Sequence, residues 1–190
     1  MIDDFRAVFM STVKEEPFCS TLREASIAGE LAVWTSSLTS CLVEACDRIG
    51  WRASAKGHEC QLLPIRRSEY LALDLMAFPA GENRWLYPSA AMELENSRRE
   101  DQIAYSLWKV LAVRADLRAV FCYRKDASDA PPLIQHLKKE VVEAMGLSSR
   151  LAVGGRTVVV VGSRNDATTF PYGFFKWWEL NMETGGFDSF

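Results

Sequence analysis

A chain of 190 residues with 48% hydrophobic content can bury a full core and is of a size for one domain. Its formal charge of −3 denies it the global basic field that advertises nucleic-acid binding, although a site built of acids and metal ions would lower the same count. Five cysteines without C-x-x-C spacing, accompanied only by His58 and His136, argue against a disulfide framework or a zinc site, and Cys41 and Cys122 read as small core residues.

The first stretch, "MIDDFRAVFMSTVKEEP", carries acids where a secretory leader needs cations, and no run approaches ~18 uninterrupted apolar residues, so a cytoplasmic protein with no membrane partner is expected. Residues 1–33 read as an N-terminal helical segment, 36–162 as the core and 168–190 as an aromatic C-terminal segment of a single domain. From about 36 to 49, Leu38, Cys41, Leu42, Ala45, Cys46 and Ile49 recur at helical spacing, and Gly50 ends the run. "HECQLLPI", "YLALDLMAF" and "WLYPSAAMELEN" read as strands joined by the turns "RRSE" and "PAGEN", an antiparallel meander. Ser97 with Glu100 has the form of a capping box, and Ile103, Leu107, Val110 and Leu111 supply the apolar stripe of a helix to about 115. "LRAVFCYR" (117–124) follows as a strand, so the helix is a crossover and the strands on either side of it should be parallel. Pro131 and Pro132 open a further helix through "LIQHLKKEVVEAM", closed by Gly146, and "RTVVVVG" is a last buried strand before the loosely held tail "METGGFDSF". The predicted class is α/β, a mixed central sheet flanked by helices.

Candidate chemistry sits in "AMELENS" (91–97). Side chains alternate along a strand, so Glu93 and Glu95 share one face while Met92 and Leu94 take the other. The pair is a convergent acid cluster or the wet side of an edge strand. Asp74, in "LALDLMAF", has apolar neighbours on both faces, and an unpaired buried carboxylate costs several kcal/mol or loses its charge. It therefore needs compensation, from the backbone, from an arginine such as Arg67, or from a cation shared with Glu93 and Glu95. Clustered carboxylates suit Mg²⁺ or Mn²⁺, which prefer hard oxygen ligands.

An Asp in the second strand of a meander, an acid-x-acid at the end of the third and a following crossover helix resemble the restriction-endonuclease-like, PD-(D/E)xK, nuclease superfamily, over residues 36–124, or to 162 with the last strand. The resemblance implies an αβββαβ sandwich and a Mg²⁺-dependent nuclease that hydrolyses phosphodiester bonds, in DNA more than RNA, with Asp74 and Glu93 as metal-binding acids. Glu95 stands where the pattern usually has lysine; in some members a glutamate there takes over the lysine's part in organising the attacking water. Other members move the lysine onto the next helix, where Lys109 is the candidate, on one polar stripe with Gln102 and Ser106. The relatives' Q-x-x-x-Y is approximated by Gln102 and Tyr105, one residue closer together. Their first-helix glutamate is matched nearest by Glu44 as a further metal ligand, although it projects roughly opposite that helix's apolar stripe. The ordinary reading of a lone Lys109, and of Gln102, on such a stripe is a solvated helix position.

Arg98 and Arg99 begin the crossover helix beside Glu95, where a helix N-terminus itself favours phosphate, which makes them candidates for substrate binding. They, like the doublets Arg66–Arg67 and Lys138–Lys139, also read as surface decoration. "FPYGFFKWWEL" gathers Phe170, Tyr172, Phe174, Phe175, Trp177 and Trp178, as an aromatic element closing the core, a homodimer interface or a platform for stacked bases. "VGSRN" lacks G-x-S-x-G and "VGGRTVVVVGSRN" lacks the phosphate-loop lysine, which disfavours serine hydrolase and phosphate-loop chemistry. The alternative to a nuclease is a non-catalytic nucleic-acid-binding or protein-interaction module on the same fold.

Overall fold

The structure, a computed structural model, describes residues 2–81 and 85–190. Strands β1 (Trp51–Ala55), β2 (Leu75–Pro79), β3 (Ala90–Glu95), β4 (Leu117–Arg124), β5 (Arg156–Ser163), β6 (Phe175–Leu180) and β7 (Phe187–Ser189) lie side by side in chain order in one open sheet. The first three pair antiparallel, β3, β4 and β5 pair parallel, and β6 and β7 return antiparallel. The parallel centre is where the sequence is apolar on both faces, as "RTVVVVGS" is, because a strand covered above and below by helices needs no polar side.

Helices α1 (Ile2–Val13), α2 (Phe18–Ala28) and α3 (Leu31–Arg48) cover one face, packing Phe5, Phe9, Leu38 and Leu42 against Met92, Phe121 and Val160. Helices α4 (Glu100–Leu111) and α5 (Ala130–Leu137) cover the other, where Ile103, Leu107, Leu133 and Leu137 meet Met76, Phe78, Val120 and Val159. Strand alternation thus feeds two cores from one sheet. Helix α6 (Leu147–Val153) leads into β5. No helix among the described residues is long and apolar enough to cross a membrane.

The crossover through α4 joins parallel strands, as expected. Several boundaries differ from the sequence reading. The first strand is Trp51–Ala55, and 58–65 contributes only the bridge Ala55↔His58, because Gly57 at φ 80° turns the chain immediately after β1. The second strand starts at Leu75 and not at 70: Tyr70–Ala72 forms a 3₁₀ turn in which Leu71 and Ala72 both sit at φ 55°. Asp74 therefore precedes its strand instead of lying within it. In "PAGEN", Glu82 and Asn83 lie outside the described residues. The capping box at Ser97 does not form; α4 starts at Glu100, and the Ser97 hydroxyl accepts from the Arg99 amide at 3.1 Å. Helix α5 widens into a π-helical turn, Lys138–Val142, before Gly146 is reached.

The aromatic segment is β6 and its approach, and the tail supplies β7. Phe170, Phe174, Phe175 and Trp177 are buried in the chain's own core, as an aromatic element that closes it, while Tyr172 of the same group stands out in solvent.

Candidate functional site

The β2–β3 register, Leu75↔Met92, sets Asp74 alongside Glu93 on the face covered by α4. Because β2 begins only at Leu75, the β3 amides beyond Met92 on that side lack a strand partner. The Asp74 carboxylate replaces it, accepting the Leu94 N–H at 2.7 Å. Of the compensations open from the sequence, backbone, arginine or shared cation, the backbone is the one seen here.

Glu93 is 5% exposed. Its Oε1 lies 2.8 Å from the Lys109 Nζ, an ion pair more than a well-aligned hydrogen bond, and its Oε2 receives a long bond of 3.4 Å from the Ser106 hydroxyl. Lys109 also donates to the Ala72 carbonyl at 2.7 Å. The spacing of three between Ser106 and Lys109 on α4 aims both at the same carboxylate. Lys109 is therefore a bridge between the crossover helix, β3 and the turn before Asp74, and not a solvated helix position.

The electrostatics follow from this enclosure. Burial raises the Asp74 pKa, opposed by the Leu94 amide and by Lys109. Burial also raises that of Glu93; the Lys109 ammonium pulls it back, while the charge of Asp74 pushes it further up. Two carboxylates whose ionisation burial disfavours, side by side beneath one ammonium, form an arrangement found where proton transfer or cation binding is done.

Sequence alternation placed Glu95 on the same face, yet its Oε1 accepts the Ser97 amide at 2.7 Å, turning the carboxylate to its own chain. Among the described residues, no group of three acids, imidazoles or thiols is gathered that could hold a metal. The expected trio is in this structure two acids and a lysine. Glu44 is not brought to them: α3 packs on the opposite face of the sheet, where Glu44 pairs with Arg48 at 2.8 Å and Arg48 with Glu15 at 2.7 Å. Gln102 is exposed on the first turn of α4, and Arg99 turns to Asp101, its Nε 3.1 Å from Oδ1. Arg98 lines a separate cavity at the ends of the parallel strands.

One feature of the site carried no sequence signal. Leu71 and Ala72 occupy the left-handed region without being glycine or asparagine, at a cost of roughly 1–3 kcal/mol each. Lys109 holds the second of them through its carbonyl. Backbone strain two residues before a half-buried acid, Asp74, is the kind of outlier that collects at functional sites. No family model matches the chain, and no curated protein matches it significantly.

Proposed function

We propose that the chain is a divalent-metal-dependent nuclease built on a restriction-endonuclease-like core, hydrolysing phosphodiester bonds, in DNA by preference. The observation that carries this reading is the meeting of Asp74, from the start of β2, with Glu93, from β3, under Lys109 of the crossover helix. The order α3, β1, β2, β3, α4, β4, with β1–β3 antiparallel and β4 parallel to β3, agrees with that core.

The donor set fits Mg²⁺ or Mn²⁺, since such ions are held through one or two carboxylates and complete their shell with waters and substrate phosphate. When bound, the ion would polarise a water and neutralise charge developing on the phosphoryl oxygens. Asp74 and Glu93 would hold it, with Asp74 oriented by the Leu94 amide. Lys109, released from Glu93, would keep its bond to the Ala72 carbonyl and stand ready to position the attacking water or to neutralise the phosphate. Glu95 reaches that role only by leaving Ser97.

The second reading, a non-catalytic binding module, is favoured by the same ion pair, because Lys109 already supplies the positive charge that a metal would bring. Mn²⁺ titration by calorimetry, with cleavage assays on single- and double-stranded DNA, decides between them when wild type is compared with Asp74→Asn. The amide keeps an acceptor for Leu94 and removes the charge. Saturable binding and cleavage in wild type, both lost in the variant, support the nuclease; neither in wild type favours the binding module.

A further inference from the structure

Strands β3, β4 and β5 bring their C-terminal ends to one edge of the sheet, the edge where open α/β sheets receive ligands. A cavity of about 210 Å³ opens there, and Arg98, Arg124, Lys125 and Arg164 line it against a single acid, Asp129. Neither Asp74, Glu93 nor Lys109 contributes to its wall.

Arg124, the last residue of β4, has a side chain only 11% exposed. Its Nη1 donates to the Tyr123 carbonyl at 3.1 Å, but its Nη2 is buried without a hydrogen-bond acceptor, and the Glu100 carboxylate approaches only to 3.6 Å. A structural arginine in this protein looks different. Arg118, 1% exposed, donates to the carbonyls of Val113, Gly154 and Val153 at 2.9, 2.7 and 3.0 Å. Arg124 thus has one hydrogen bond and one long ion pair to Glu100 for its five N–H donors, and its guanidinium, on the cavity wall, has donors to spare for an acceptor that enters there.

We propose that this cavity binds the phosphate group of a phosphomonoester, with Arg124 as its central ligand. Four cations around one acid exceed what a lone carboxylate would need, and the guanidinium fork matches phosphate oxygens in pairs. The volume is below the ~300–1,000 Å³ of pockets that enclose whole drug-sized ligands, so it takes the phosphate and its nearest atoms and leaves the remainder outside. The phosphate belongs to a free nucleotide or to the phosphorylated end of a strand. The site shares no residue with Asp74, Glu93 and Lys109 and stands or falls apart from the nuclease reading.

The test is titration calorimetry on the full chain in chelator, with AMP, a 5′-phosphorylated oligonucleotide and its 5′-hydroxyl twin as probes. Saturable binding of AMP or of the phosphorylated oligonucleotide is expected, weakened at least ~10-fold by Arg124→Met. A ~10-fold preference for the phosphorylated over the hydroxyl oligonucleotide assigns the site to strand ends, and tight AMP with no such preference assigns it to free nucleotides. No saturable binding of either phosphate probe, or unchanged affinity in Arg124→Met, overturns the proposal. Should that variant not fold, the double substitution Lys125→Gln, Arg164→Gln replaces it, with the same ~10-fold loss expected and unchanged affinity again overturning the proposal.

Discussion

Lys109→Met isolates the part of the site on which the rest leans. Unit charges 2.8 Å apart attract by roughly 6 kcal/mol at an effective dielectric near 20, but both partners lose hydration in meeting, so the net effect is far smaller. Removing one member of a fully buried pair costs about 3–5 kcal/mol. The Glu93 side chain is 7% exposed and that of Lys109 20%, so water reaches one partner and about 2–3 kcal/mol is the better expectation. Loss of the 2.7 Å bond to the Ala72 carbonyl adds roughly 0.5–1.5 kcal/mol. At an m-value of about 2 kcal/mol/M, the urea midpoint at neutral pH should fall by about 1–2 M. The pH dependence has a definite sign. Asp74 and Glu93 have raised pKa values in the folded chain, so the stability linked to them is fully present below their unfolded values, about 4, and is lost as pH rises through the folded ones. Without the ammonium those values rise further, and the deficit of the variant should be large at about pH 7.5 and shrink toward about pH 4.5. A midpoint shift below about 0.3 M at neutral pH, or an equal shift at both pH values, would refute the reasoning.

Arg118→Met should destabilise by about 3–5 kcal/mol, because it strands the three carbonyls that close α4 and α6, and urea titration would read the loss directly. Gly162→Ala places a methyl 2.6 Å from the buried rings of both Phe174 and Tyr123; overpacking of about 1–3 kcal/mol should lower the melting temperature by roughly 3–10 °C, and an unchanged melting curve would contradict the packing described. A chain ending before Phe170 loses Phe170, Phe174, Phe175 and Trp177 from the core, and at about 3–5 kcal/mol per aromatic it should show no cooperative unfolding. A folded monomer on a sizing column would count against that.

Local periodicity alone established that Glu93 and Glu95 leave β3 on one face, that Asp74 needs compensation, and that α4 carries the chain between parallel strands. Those features depend on the pleat, on helical pitch and on the cost of a buried charge, all of which act over a few residues. The sequence did not disclose that Leu71 and Ala72 adopt left-handed backbone, because neither is a residue that favours it; Lys109, 37 positions away, reaches the carbonyl of the second. Nor did it separate Glu93 from Glu95. Alternation sends both to the same side, and the choice between Lys109 and the Ser97 amide is made by side-chain torsions and by where β2 stops. Strand β1 escaped notice because "WRASA" has little apolar alternation and is held by its pairing with β2. The cationic cavity draws on residues from 96 to 164, and only the parallel register of β3, β4 and β5 brings their ends together. Register is a long-range property: it is set by which faces are buried against which helices, and no window of sequence contains both partners.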